Sequence, residues 1–396
     1  MEESFILIVN AVLYLVLLIV SIIRKRGKMG IMLTGIYAFL SLCCAFFFYK
    51  SYYNLNRYLW PYLYFFVIFV ILLKPFQRKD SILDKVKINN TVLLNKVFDV
   101  FIIISILYIL VFSGKVISAV RSGRWLSVYL SMRGEDAVFY NNFFERILIN
   151  VVSYFRIPAV FYAFYVFARN IEYKRKTILL ITPLVTSFMW AILTASRSSI
   201  LDIGILYIMC FVICMNDVSN SFRRGFITFL SVFGVVATFF ILAVNVSRFG
   251  EGDSDWTSAY FGHSFIVAHN TIAYTDRIGY GKNFWGTVYN MLHIQVAPYH
   301  CQIDDGVAFH PLISMRYSDY GLIGTVIYAI IVSIFFNRLL KKRRMSIGEV
   351  YIVLYFYVSL FIGAFYDNAN SLSWMIVIVV SLLLNTLSKY TVTAKT

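Results

Sequence analysis

Apolar runs of 16 to 21 residues alternate with short polar segments along most of this chain, at Ser4–Ile23, Ile31–Tyr49, Tyr58–Leu73, Val97–Ser113, Leu148–Ala168, Ile178–Thr194, Ile200–Met215, Gly225–Asn245, Tyr317–Asn337, Glu349–Tyr366 and Leu372–Ser388. A helix rises 1.5 Å per residue and the hydrocarbon core of a bilayer is about 30 Å thick, so runs of this length predict membrane-spanning helices. The shortest runs leave a tilted or partly re-entrant path open. Two polar stretches interrupt the alternation, 114–147 and 246–316. Inside the second, Trp285, Val288, Tyr289, Leu292 and Val296 recur at helical spacing over Asn283–Ala297. That pattern predicts an amphipathic helix lying on the membrane surface. No internal repeat or Pro-rich linker divides the chain. The expectation is an all-α polytopic membrane protein of about eleven spans (ten to twelve). It forms a single membrane domain over 1–396, with one large outer loop containing amphipathic helices.

Composition agrees with this pattern. Hydrophobic residues make up 60% and charged residues 14%, against about 25% charged in ordinary domains. Aromatic residues reach 18%, which suits belts at both interfaces. A net charge of +16 would suggest nucleic acid in a soluble chain, but its placement argues otherwise. Short loops hold Arg24 to Lys28, Lys74 to Lys96, Arg169 to Lys176, Arg223 and Arg224, Arg338 to Arg344, and Lys389 with Lys395, which together are 23 of 36 basic residues. With eleven spans all these loops fall on one face. The positive-inside rule then sets the C-terminus in the cytoplasm and the N-terminus outside. The first run has neither a basic lead nor a small-residue cleavage site and reads as a retained span. Cys43, Cys44, Cys210 and Cys214 lie in apolar runs and read as packing residues, with Cys301 alone in the polar stretch.

Candidate chemistry gathers on the outer face. All five histidines fall between His263 and His310. The same face carries Arg121, Arg124, Arg133, Arg146, Arg156, Arg197, Arg248, Arg277 and Arg316 against Lys50, Lys115 and Lys282. Guanidinium groups match phosphate in bidentate fashion, so this bias points to an anionic ligand, although lipid headgroups would also satisfy it. Arg156 sits inside a span just before Pro158 and must face protein or water. Arg197 occupies the short turn 194–198, with Asp202 as a candidate partner, and Arg248 ends the eighth span. The histidines have no dense metal-ligand spacing. Asp253-Ser254-Asp255 is a weak acidic motif, Glu135-Asp136 is ambiguous, and no metal or other cofactor is expected.

The most specific constellation starts at His310 and continues through Asp319, Gly321 and Gly324 as the ninth span begins. The run Tyr317-Ser318-Asp319-Tyr320-Gly321-Leu322-Ile323-Gly324 is similar to the Tyr-x-Asp-Phe-Gly-x-x-Gly of Wzy-type O-antigen polymerases, in the O-antigen ligase/polymerase superfamily. Thr194 to Ser198 resembles the Ser-Arg-Gly turn of that superfamily, with Ser198 in place of its glycine. Arg248 stands where a second arginine is expected, and Gly281 to Pro298 looks like the polymerase segment leading to a proline. The resemblance covers roughly 194–328 and otherwise rests on topology.

It implies a polymerase that joins undecaprenyl-diphosphate-linked oligosaccharide units into O-antigen or capsule on the outer face of a bacterial inner membrane. Its partners would be the lipid-linked glycan, membrane lipids and, as an open further one, a chain-length regulator. His310, Arg197 and Arg248 are the candidate catalytic residues. His310 would take the acceptor proton, with Asp319 as its partner or as a helix cap, and the arginines would neutralise the leaving diphosphate. Arg156, Asp319, Arg316 and Trp285 are the candidate substrate contacts, with Trp256 and Tyr289 as further rings for stacking on sugar faces. The nearest alternative is an O-antigen ligase that uses lipid A core as acceptor. From another class, a flippase of lipid-linked sugars would want more polar residues at mid-membrane. The Tyr-x-Asp-Tyr-Gly variant favours the polymerase.

Overall fold

The structure is a computed structural model that describes residues 2–47, 58–79, 81–122, 143–249, 255–303, 310–367 and 370–389, with the backbone alone for 2–4, 47, 245–249 and 255–260. The chain is an all-α polytopic membrane protein. It begins with α1 (Glu2–Ile23), α2 (Lys28–Phe47) and α3 (Leu59–Leu73), which runs on into a 3-10 turn at Lys74–Gln77. A single turn α4 (Ile82–Lys85) follows, then α5 (Thr91–Ser122), α6 (Phe143–Ala168), α7 (Lys176–Thr194), α8 (Arg197–Cys214) and α9 (Asn220–Phe249). The expected outer loop contains α10 (Asp255–Tyr274), β1 (Thr275–Arg277), α11 (Lys282–Met291) and β2 (His300–Cys301). The chain closes with α12 (Leu312–Lys341), α13 (Ile347–Ile362) and α14 (Ser371–Lys389). Among the described residues, ten helices are long and apolar enough to cross a membrane, and α13 is a shorter apolar helix of the same kind. These eleven helices coincide with the eleven expected runs.

The boundaries of the two polar stretches need correction. The 114–147 stretch is helical at both ends, because α5 continues to Ser122 and α6 begins at Phe143. Lys115 on α5 bonds Glu145 on α6 at 2.8 Å, so a half-buried ion pair ties the two extensions together. The 246–316 stretch opens within α9 and ends within α12. It is also far from a simple loop. Helix α10 is buried without interruption from 262 to 272, packed against α2, α3 and α12. It has no apolar stripe that would have announced this, since Gly262, His263, Ser264, His269, Asn270 and Thr271 interrupt its faces. The expected surface helix is real but shorter, Lys282–Met291 rather than Asn283–Ala297. His293 takes a left-handed φ of 54°, and the N–H groups of His293 and Ile294 bond back to Asn290 and Tyr289. This is a Schellman stop made without glycine.

Contacts divide the chain into two compact units. Unit one holds 1–81, 254–343 and 355–378. Its core is an aromatic cluster of Tyr14, Tyr37, Phe65, Phe69 and Phe265, with Tyr37 and Phe69 stacked at 4.0 Å. Unit two holds 82–253, 344–354 and 379–396. Its core packs Tyr108, Phe112, Leu148, Ile149, Val152, Met189 and Leu193. Where α4 and α5 lie near α6 and α8, basic residues find acids: Arg169 meets Asp84 and Asp217, and Arg175 meets Asp99.

Candidate functional site

In unit one the geometry begins with a broken helix. Gly321, inside α12, takes φ 68° and ψ −170°, a region that residues with a Cβ avoid. A continuous helix would spend the carbonyls of Ser318 and Asp319 on its own next turn. Here they accept instead from the N–H of Gly279 at 2.8 Å and of Gly281 at 3.1 Å. Thr325 Oγ bridges the break by donating to the carbonyls of Arg316 (3.0 Å) and Gly321 (2.8 Å). A Cβ on Gly324 would lie 2.7 Å from that of Tyr320, so this glycine belongs to the same bend.

The Asp319 carboxylate completes the junction. It accepts the N–H of Asn283 at 2.9 Å and of Phe284 at 3.1 Å, which are the second and third residues of α11. A helix start leaves such donors unpaired, and Gly281 at the cap position has no side chain to satisfy them. Asp319 is therefore a helix cap, for a helix other than its own. Arg316 is 1% exposed. Its guanidinium bonds Asp367 at 2.8 Å, reaches Asp319 at 3.5 Å, and lies 4.6 Å above the ring of Phe284. Both residues, expected from the sequence as substrate contacts, are held inside the protein as struts of the α11–α12 junction, and the helix-cap role named for Asp319 is the one its hydrogen bonds show. A buried guanidinium spends its charge on the two carboxylates beside it. Trp285 differs. It is 38% exposed on α11, an element with no buried residue, and its ring meets Phe284 edge-on at 4.8 Å.

The histidines separate into distinct environments. His269 is a structural residue: Nε2 accepts the N–H of Tyr58 at 2.9 Å, Nδ1 lies 3.0 Å from Asn270 Oδ1, and the ring rests on Tyr62. Those partners require the neutral form with its proton on Nδ1. His300 pairs with Asp276 at 2.8 Å on the exposed ribbon formed by β1 and β2, and this contact holds the Asp276 carboxyl below its ordinary value. His263 is buried on α10, and desolvation, with a smaller repulsion from His310, pushes it down to about 4. His310 is partly exposed immediately before α12. Its carbonyl accepts the N–H of Asp367 at 2.8 Å, and the next contact along is Leu312 N–H to Gly363 O at 2.8 Å. Asp367 thus serves His310 through its backbone and Arg316 through its side chain. Nothing local in Tyr366-Asp367-Asn368 distinguishes this residue, because its partners lie more than fifty positions upstream.

In unit two Arg197 and Arg248 sit where helices end, and Arg156 lies inside a span. Helix α7 stops in a second Schellman turn, with Ala195 left-handed at φ 46° and the N–H groups of Ala195 and Ser196 bonded to Ile192 and Ala191. Ser196 is extended, and Arg197 is the first residue of α8, 9% exposed. Arg197 therefore stands at the positive end of an 18-residue helix, a place that favours anions. Ser196 and Ser198 join their hydroxyls at 2.7 Å across the turn. Asp202, one turn further along α8, comes within 3.6 Å of Arg156 on α6. Arg156 itself lines a small cleft with Ser153, Thr186, Ser187 and Trp190. A span-embedded arginine thus faces protein, with Asp202 beside it and a cleft whose lining also includes Tyr108, Ile149 and Val152, as its cost in lipid requires. Arg248 falls in the last turn of α9, where the described structure is backbone alone; Trp256 is in the same position at the start of α10. Asp253 and the Glu135-Asp136 pair lie outside the described residues.

Among the described residues, no group of three or more His, Cys, Asp or Glu side chains is arranged to hold a metal. Comparison with known proteins finds no matching family model, no matching curated protein and no matching solved structure.

Proposed function

We propose that this chain is a membrane glycosyltransferase of the polymerase kind, joining lipid-diphosphate-linked oligosaccharide units on the outer face of a bacterial inner membrane. The observation that carries the reading is Arg197. An arginine nine-tenths buried at the positive start of an apolar helix, with Arg156 inside the neighbouring span, is the candidate source of preorganised positive charge. A departing diphosphate needs that charge more in the transition state than in the ground state. In the reaction, an acceptor hydroxyl oxygen bonds to the anomeric carbon while the bond from that carbon to the diphosphate oxygen breaks. The diphosphate leaves with the electron pair, and His310 accepts the hydroxyl proton. Arg248, at the end of α9, would add to the charge on the leaving group. Trp285, half-exposed beside the α11–α12 junction, offers a ring for a sugar face. The concentration of Lys and Arg in the opposite loops supports the orientation, with the N-terminus outside and the C-terminus cytoplasmic.

Arg197→Ala and His310→Ala should each abolish long glycan chains while single repeat units still reach the lipid anchor. Normal chain-length ladders from both variants, expressed at wild-type level, would remove the reading. Complete loss of attached glycan, single units included, would indicate a ligase instead.

A further inference from the structure

Unit one gathers basic residues at the end of α12 away from the α11–α12 junction. Three segments meet there: 24–28 between α1 and α2, the 3-10 turn with its continuation to 79, and 338–343 at the end of α12. They hold four, three and four Lys or Arg residues and no Asp or Glu; Asp80, next in the chain, lies outside the described residues. The fold presses the segments together. Gly27 N–H donates to the carbonyl of Gln77 at 3.0 Å. A Cβ on Gly27 would collide with the carbonyl oxygen of Arg78, and one on Gly30 would lie 2.9 Å from that of Phe76, so the α1–α2 turn has no room to withdraw its charges behind side chains. On the other side of the 3-10 turn, Arg78 Nη1 donates at 3.4 Å to Asn337 Oδ1, beside Arg338.

Gathering cations on one face is general in spanning proteins, but it does not require them to be left without acids. Unit two meets the same rule with neutralised arginines, Arg169 on Asp84 and Asp217, and Arg175 on Asp99. In unit one, Arg24, Lys25, Arg26, Lys74, Arg338 and Lys341 have no acidic partner among the described residues. The negative end of α12 accounts for Arg338 and Lys341 in its last turn, whereas the last turn of α1 holds no cation. Like charges held this close repel, so the cluster favours an anionic counter-charge. Its surroundings select the kind. Ile22 and Ile23, 54% and 72% exposed, lead into Arg24, and Ile334 and Phe335, 48% and 51% exposed, lead toward Arg338. Both helices are long and apolar enough to cross a membrane, so these side chains meet hydrocarbon and the cations stand at the level of lipid head groups. A phosphodiester carrying acyl chains fits both parts. A zwitterionic head brings its own cation, and a soluble anion has no use for the apolar rim.

We propose that this basic end of unit one is a binding surface for acidic phospholipid head groups, an inference independent of the polymerase reading. The probe is phosphatidylglycerol with a diazirine on its head group, in phosphatidylcholine nanodiscs around the full-length protein. Label is expected on 22–28, 74–79 and 334–343, at least about fivefold above the basic segment 169–176 of unit two. Phosphatidylcholine carrying the same diazirine should show no such preference. Arg24→Gln, Lys25→Gln and Lys341→Gln together should lower labelling of the three segments at least about fivefold. Removing three charges from unit two, by Lys174→Gln, Arg224→Gln and Lys389→Gln, should leave it within about twofold. Equal preference from the phosphatidylcholine probe, or an equal loss from the unit-two variant, would mean that bulk lipid or net charge alone is at work and overturn the proposal. Displacement of the probe by soluble polyglutamate but not by unlabelled phosphatidylglycerol would point to an acidic protein and overturn it too. Should the first variant fail to fold, the two head groups compared on wild-type protein decide.

Discussion

Helices α10 and α11 are neighbours in one polar stretch and behave in opposite ways. Helix α11 carries a clear apolar stripe yet has no fully buried residue; α10 has no stripe and is buried on every face from 262 to 272. Periodicity therefore reports whether a helix has two kinds of face, and says little about how deeply it sits. A polar helix can enter a core when other segments supply its hydrogen bonds, as Tyr58 N–H does for His269. An amphipathic helix can stay outside when its attachment is at one end, as Asp319 provides for α11.

Removing the attachment should have the largest effect. Asp319→Ala leaves two α11 donors without their acceptor and takes one of two carboxylates from a buried guanidinium, a change worth about 3–5 kcal/mol in comparable buried pairs. The check is thermal unfolding in detergent, with proteolysis between 280 and 300 as a local readout. Asp319→Asn, which can still accept from α11, should recover part of the loss; equal damage from both would refute the capping role.

Next comes the buried helix. His269→Leu keeps much of the volume but deprives Tyr58 N–H of its acceptor, and should cost about 2–3 kcal/mol. A neutral outcome would mean that α10 is held by packing alone.

The His263 environment sharpens the contrast through pH. Its folded pKa of about 4 lies below the ordinary value of 6.5. The unfolded chain therefore binds a proton that the fold refuses as pH drops through that window. The associated stability is fully present above pH 6.5 and declines toward pH 4, by about 2 kcal/mol at pH 5. His263→Gln should flatten this slope in melts between pH 8 and pH 5. An unchanged slope would assign the acid sensitivity to other groups.

The smallest effect belongs to the outside of α11. Leu292→Ser, at a residue 62% exposed, should leave stability within about 0.5 kcal/mol in detergent. A loss above 1 kcal/mol would show that this face is covered after all.

The spans were legible because crossing a bilayer leaves no choice of pattern: long apolar runs such as Leu148–Ala168 can lie nowhere else. The glycines of the motif were legible as a cluster but not as a bend. Their meaning depends on Gly279 and Gly281, about forty residues earlier, whose N–H groups donate to the carbonyls that Gly321 frees. Arg197 was visible as a fixed cation because its turn is short. Asp202, its candidate partner by sequence, comes within 3.6 Å of Arg156 on another helix.

What the order of residues settled alone is whatever local composition decides: eleven apolar helices, the surface helix α11, and the segregation of charge among the loops. Folding in three dimensions decided which polar groups are used up inside. It buried α10, turned Arg316 and Asp319 into struts, and gave Asp367 its two partners. The reason is one of range. Hydrophobicity acts on a segment wherever it sits, whereas a buried hydrogen bond or ion pair needs a particular partner, and only packing determines which distant residue arrives.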